Sequence, residues 1–198
     1  MSRRKRLSLL FDHLPHGPIV LDASAIINLL GCGDIQGVVR ALGCVCLVEQ
    51  RTLNEVQRHP VPGQNHGPVL DELRQLGMLS VERMTGGEYE TYLSLVQGPI
   101  SSRLDSGESA AIALTSRGLP VVLDENKARS VVTRAYPDIL FCSTLKLLIT
   151  AGKRGSWPVE QVQQLVMSAR RHARMGVPRG ESDALSELMS GVDRRPTN

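Results

Sequence analysis

A chain of 198 residues, 41% of them apolar and 22% charged, with a formal net charge of +3, suits one compact domain with room for a modest extension. Its mild basicity gives only weak support for an anionic partner, and no apolar run approaches the ~18 residues needed to span a bilayer. Aromatic residues make up just 3%, so the core must be built from Val, Leu, Ile and Ala, the mixture typical of parallel α/β sheets buried on both faces.

The first stretch, residues 1–17, holds the basic run Arg3, Arg4, Lys5 and Arg6, a short apolar segment and then Asp12. It reads as a basic arm rather than a secretory signal. Pro18 to Asp22 is the first strand, and a helix follows from Ser24, itself a candidate N-cap, with Ala25, Ile26, Leu29 and Leu30 as its apolar face. Gly31 and Gly33 break that helix, and Asp34 caps a second ending near Leu42. Cys44 to Val48 is a second strand, followed by a polar helix with Leu53 and Val56 that ends before Pro60. Residues 61–68 carry Pro, Gly, Asn and His and are expected as a loop, with a helix over 69–76 and a short strand over 78–81. A helix over 87–96 would place Tyr89, Leu93 and Val96 on one stripe.

Further along, the pattern predicts a helix over 106–117, a strand over 119–123, a helix over 125–136, a strand over 139–142 and a helix over 144–152. Strands alternating with helices predict a parallel sheet covered on both sides, with strand C-termini along one edge. After Gly155 the composition shifts. Pro158 can open a helix reaching Met175, and residues 153–179 hold six Lys and Arg against the single acid Glu160. Residues 180–198 are expected to hold a short helix and a frayed end. The divisions are therefore a basic arm over 1–17, an α/β domain over 18–155 and a helical extension over 156–198. The cysteines Cys32, Cys44, Cys46 and Cys142 contain no Cys-x-x-Cys pair and have mostly apolar neighbours, so they are expected as reduced, mostly buried thiols of a cytoplasmic protein.

Two aspartates close apolar strands: Asp22 after Ile-Val-Leu and Asp124 after Val-Val-Leu. Ligands of open parallel sheets bind beyond the strand C-termini, so both carboxylates are expected in one crevice. A lone aspartate at a strand end is more often a cap or loop residue; two at one edge, with Glu55 and the Asp105-Ser-Gly-Glu108 motif nearby, strengthen the functional reading. That motif is also a capping box, in which Asp105 and Glu108 satisfy free helix N–H groups, and both roles can hold together. Converging carboxylates repel unless a counter-charge joins them. Mg²⁺ or Mn²⁺, which prefer oxygen ligands, would remove that cost and suit phosphodiester hydrolysis.

Taken together, Asp22-Ala-Ser24, Glu55, Asp105-x-Gly-Glu108 with its Ala-rich helix, Val-Leu-Asp124-Glu-Asn and Ser143-Thr-Leu-Lys-Leu-Leu148 resemble the PIN-domain family, nearest its VapC-like toxins, over residues 18 to 155. The resemblance implies a Rossmann-like α/β fold and a Mg²⁺- or Mn²⁺-dependent endoribonuclease. It maps the family's acids onto Asp22, Glu55, Glu108 and Asp124, with Asp105 as an additional acid of the subgroup. Ser24 would orient the first carboxylate or a metal-bound water, unless it serves only as a helix cap. The family's third acid is often Asp where this chain has Glu108, and the basic C-terminal helix departs from the pattern expected for the subgroup.

Around the acids, Asn126, Lys127 and Arg103 are candidates for contacts beside the metal or on phosphate, against the plainer reading of solvated positions. Arg170, Arg171 and Arg174 are spaced to share one helix side and are candidate RNA contacts, against a solvated face. Expected partners are RNA, a small antitoxin that fills the crevice, and a second copy in a homodimer, with no membrane. The competing function is a non-catalytic PIN-like module for nucleic acid or protein. A nucleotide-binding Rossmann domain is disfavoured, because no Gly-x-Gly-x-x-Gly follows the first strand.

Overall fold

The computed structural model describes residues 17–191. The basic run Arg3 to Arg6 and the frayed end lie outside these residues. Five short strands, β1 (Ile19–Leu21), β2 (Cys46–Glu49), β3 (Leu79–Glu82), β4 (Val121–Val122) and β5 (Phe141–Cys142), form one sheet in the order β3-β2-β1-β4-β5. Every neighbouring pair is parallel. The chain builds outward from β1 through β2 and β3, then returns to the other side of β1 for β4 and β5. The junction between β1 and β4 is therefore the point where strand order reverses, the usual ligand position in an open parallel sheet.

Ten α-helices accompany the described strands: α1 (Ala23–Cys32), α2 (Ile35–Leu42), α3 (Gln50–Glu55), α4 (His66–Gln75), α5 (Gly86–Val96), α6 (Ser106–Leu114), α7 (Asn126–Ala135), α8 (Thr144–Arg154), α9 (Val159–His172) and α10 (Ser182–Ser190). Alternation along β1 divides them between the two faces. Ile19 and Leu21 join a cluster with buried residues of α1, α2, α4, α8 and α9. Val20 joins the opposite cluster, with Leu95 of α5, Ile112 of α6 and Val132 of α7. The core is aliphatic, as the scarcity of aromatics requires. Cys32, Cys46 and Cys142 are buried, Cys44 is half-buried, and all four are free thiols. No single helix among the described residues is long and apolar enough to cross a membrane.

Several element ends differ from expectation for local reasons. Asp22, not Ser24, is the N-cap of α1: its carboxylate accepts the Ala25 N–H. The helix expected from residue 69 begins at His66, capped by Asn65, because Pro68 falls in the first turn, where its missing N–H costs nothing. On α5 the inward face carries Glu88 and Leu95 rather than Tyr89, Leu93 and Val96. Glu88 is buried because Arg117 donates to it at 2.6 Å and also meets Glu82 at 2.8 Å. The helix expected to reach residue 117 ends as α at Leu114 and continues as a 3₁₀ turn, Thr115–Arg117.

The largest difference concerns α9, which stops at His172 instead of Met175. Arg174 turns into the left-handed region with φ 57°, and Met175 drops back into the core at 4% exposure. α9 itself packs against α1, with Val166 and Ala169 fully buried. Contact is so close that a Cβ on Gly31 would meet the Ala173 Cβ at 2.6 Å. Gly31→Ala is accordingly expected to cost about 1–3 kcal/mol by forcing α1 and the end of α9 apart. The cost should be read as a lower urea midpoint with an unchanged denaturant slope.

Candidate active site

Adjacent strands β1 and β4 place Asp22 and Asp124 at the same sheet edge, one and two residues beyond the last paired residues, Leu21 and Val122. Helix α1 ties the two together. Ser24 Oγ donates to both Asp22 oxygens at 2.9 and 3.0 Å. One turn later, Asn28 Nδ2 donates to Asp124 at 2.8 Å. Thr144, at the start of α8, adds its N–H at 2.8 Å and its hydroxyl to the same carboxylate. Both carboxylates are thus fixed in orientation by hydrogen bonds donated to them.

Asp22 is 1% exposed, and burial is the main reason its carboxyl lies well above the usual range; the charge of Asp124 adds to the rise. Burial also raises Asp124, opposed by the hydrogen bonds from Thr144 and Asn28. Glu108 enters from the first turn of α6. Its carboxyl is pushed up to about 8, first by burial and then by Asp105 and Glu125. Glu108 Oε1 and Ser109 Oγ are the buried polar side-chain atoms left without a hydrogen-bond partner among the described residues. A buried acceptor with no donor is costly and calls for an explanation.

Glu55, at the end of α3, meets α6 at Gly107. A Cβ there would lie 2.4 Å from the Glu55 carboxylate, so only glycine permits this approach. The Gly107 N–H bonds to Glu55, while burial and the nearby Asp105 raise its carboxyl. Thr52 Oγ1 donates to the Gly107 carbonyl at 3.1 Å and fixes α3 against the α6 terminus. Asp105 is the N-cap, accepting the Glu108 N–H at 3.0 Å. The return bond of a capping box is not part of this cap; the Glu108 carboxyl lies against that of Asp105, and its charge is felt weakly at Asp22.

The five sequence-selected acids therefore form two linked groups, Asp22 with Asp124 and Glu55 with Asp105, and Glu108 lies between them. The arrangement is open rather than a closed cage. Among the described residues, no group of three His, Cys, Asp or Glu side chains is placed to hold a metal ion by itself. An all-oxygen donor set, carboxyl groups raised by burial and mutual repulsion, and the partnerless Glu108 Oε1 fit a hard divalent cation that keeps part of its water shell. Asp22, Asp124 and Glu108 would supply only part of its ligands, with water or phosphate oxygens supplying the rest.

A cavity of about 300 Å³ opens beside Asp124, lined by Ser24, Asn28, Glu125 and the turn from Ala173 to Gly176. Arg174 borders this cavity while Arg170 and Arg171 lie on α9, and all three are exposed. The other selected residues lie outside the acidic group. Asn126 Oδ1 accepts the Arg179 N–H at 3.0 Å, Lys127 Nζ reaches the Ile100 carbonyl at 3.4 Å, and Arg103 Nε reaches the Gly98 carbonyl at 3.4 Å. Glu49, a further strand-end acid, is spent on the Arg51 N–H and guanidinium and caps α3.

Sequence reasoning passed over Asn28, Thr144 and Glu125. Asn28 had a signal, being the single polar side chain in Ala25-Ile-Ile-Asn-Leu-Leu30. It also passed over the anchor of the C-terminal segment: Arg129 donates to Glu181 at 2.6 Å, and Ser143 Oγ donates to the other oxygen of that buried carboxylate. No curated protein and no solved structure matches the chain. A family model described as a PIN domain matches residues 18–183, from β1 into α10, and the chain belongs to the PIN-domain family.

Proposed function

We propose that the protein is a divalent-metal-dependent endoribonuclease that hydrolyses RNA phosphodiester bonds at the β1–β4 edge. The PIN domain is a nuclease-type fold at the family level. The observation that supports the narrower reading is Asp22 beside Asp124 at one sheet edge, where the charge of Asp124 is felt at Asp22, with the buried Glu108 Oε1 of α6 left without a donor among the described residues. A bound Mg²⁺ or Mn²⁺ would supply an activated water and neutralise charge on the phosphate.

The chain's own groups set the stage. Ser24 holds both oxygens of Asp22, and Asn28 with Thr144 holds Asp124, so neither carboxylate must reorganise when a phosphate arrives. With its carboxyl pushed up to about 8, metal-free Glu108 holds its proton at neutral pH, and its partnerless Oε1 can accept a hydrogen bond from water. Arg174, across the cavity from Asp124, is placed to take part of the phosphate charge. Glu55 and Asp105 extend the negative field along α6. A toxin role, with a small antitoxin filling the crevice, is the narrowest form of this proposal and rests on the resemblance of the motifs to VapC-like proteins.

Purified protein incubated with single-stranded RNA, or with DNA of the same sequence, in Mg²⁺, Mn²⁺ or chelator tests the reading. Internal cleavage of RNA with either ion, and none with chelator, is the expected result. Mg²⁺ or Mn²⁺ should also raise Tm, because an ion that binds only the folded state stabilises it. A protein that neither cuts RNA nor gains stability from either ion is the non-catalytic binding module instead.

A further inference from the structure

We infer that the groove beside the carboxylates, between the segment after α3 and the turn after α9, is a subsite for the phosphodiester backbone of single-stranded RNA next to the cut. The inference rests on the nuclease reading and assigns its substrate path. A cavity of about 430 Å³ lies there, lined by Arg58, His59, His172 and Arg174 together with Glu55. It shares Ile27, Ala173 and Arg174 with the cavity at Asp124, so the two form one continuous path. Carboxylates line both cavities, Asp124 and Glu125 the one and Glu55 the other, and Arg174 lines both.

Two further observations point to an anionic occupant. Arg117 and Arg129 are held by Glu82, Glu88 and Glu181. Arg58 and Arg174, by contrast, make no ion pair or side-chain hydrogen bond among the described residues. Arg174 also occupies the left-handed backbone region, which an arginine seldom adopts. That turn is held from both sides. The Ala173 and Met175 N–H groups both bond to the Ala169 carbonyl, at 2.9 and 3.3 Å, and the Met175 side chain is buried. A helix continued through Arg174 would carry the guanidinium along α9; the turn sets it between the two cavities. His59 adds a donor: its Nδ1 accepts the Val61 N–H at 3.1 Å, so the neutral ring carries its proton on Nε2. Exposed cations without a carboxylate partner among the described residues, lining a groove beside a cutting site, suit an unpaired strand, which can follow a curved groove without base readout.

Binding is measured by fluorescence anisotropy in chelator, where nothing is cut, with a labelled oligouridine of about 12 nucleotides. Wild-type protein, Arg58→Ala/Arg174→Gly and Arg170→Ala/Arg171→Ala are compared across NaCl concentrations. Glycine is chosen at 174 because it accepts the positive φ. The groove variant should bind about tenfold or more weakly, and its slope of log K against log salt should fall by about 1.4, or ~0.7 for each lost phosphate contact. The α9 variant should bind as wild type. Arg58→Lys should retain most of the affinity, since it keeps the charge, and it guards against loss through misfolding. No wild-type binding, an unchanged groove variant, or an equal loss in the α9 variant would overturn the assignment. A parallel assay with Mg²⁺ separates the two ideas. Groove-dependent binding without cleavage sinks the nuclease reading alone, and cleavage whose KM ignores the groove variant sinks the subsite alone.

Discussion

Asp22→Asn combined with Asp124→Asn is expected to reduce divalent-dependent RNA cleavage by about 10³-fold or more while leaving the fold intact. Asparagine keeps the shape and most hydrogen bonds of each position. At 22 the amide oxygen can still accept the Ala25 N–H that caps α1, bonded at 2.6 Å in the native chain. At 124 the oxygen can keep the Thr144 N–H, and Asn28 can rotate its amide to accept from the new NH₂. What disappears is the negative charge that a divalent ion and its water need. Both carboxyls are raised in the native protein, so their charges oppose folding at neutral pH. Tm in chelator should therefore hold or rise in the double variant, while the Tm gain from Mg²⁺ should shrink. Cleavage that persists in this variant would remove Asp22 and Asp124 from the chemistry.

How much of this was legible beforehand depended on whether a feature was local. Asp22 and Asp124 each close a Val-Leu-Asp run, so their place at strand ends could be read directly. That β4 lies next to β1 could not, because the alternation of strands and helices gives their number and direction but not their order. The sheet places β4 beside β1, and this brings Asp22 and Asp124 to one edge. Glu108 was readable as a capping-box residue or a site residue. In the structure α6 buries the Glu108 side chain, and the return bond of a capping box does not form.

Tertiary contacts hid the rest. Asn28 and Thr144 look like an interior helix residue and a first-turn residue, and their role exists only because α1 and α8 both meet the end of β4. The spacing of Arg170, Arg171 and Arg174 projects a single helical face. The stop at His172 puts Arg174 elsewhere, and its local signals were Gly176 and Pro178 just beyond. The change of composition at Gly155 records a change of charge, while Val166 and Ala169 beyond it are buried against the same core as β1. Through α9 packing on α1, Arg174 comes to line a cavity with Asp124, and that contact has no sequence signature beyond the small residues Gly31 and Ala173.

Glu108→Gln is expected to raise the Tm of the metal-free protein at pH 8 and to leave it nearly unchanged at pH 5. The folded chain holds the Glu108 carboxyl up to about 8, against 4.5 for an ordinary glutamate. Below the lower value both folded and unfolded chains are protonated, and the group costs nothing. Between the two, the unfolded chain releases its proton while the folded chain keeps it, so stability falls as pH rises; the full cost is reached above about 8. With allowance for the open side of the crevice, the cost is about 2–4 kcal/mol at pH 8, or roughly 5–10 °C in Tm for a chain of this size. Glutamine keeps the volume and carries no charge, so its curve should lack this slope. Adding Mg²⁺ should raise wild-type stability most at high pH, where the carboxylate is ionised, and should raise the variant less. Identical Tm–pH curves for wild type and variant in chelator would mean that Glu108 is an ordinary helix-end acid. The partnerless Oε1 would then carry no argument for an ion at the crevice.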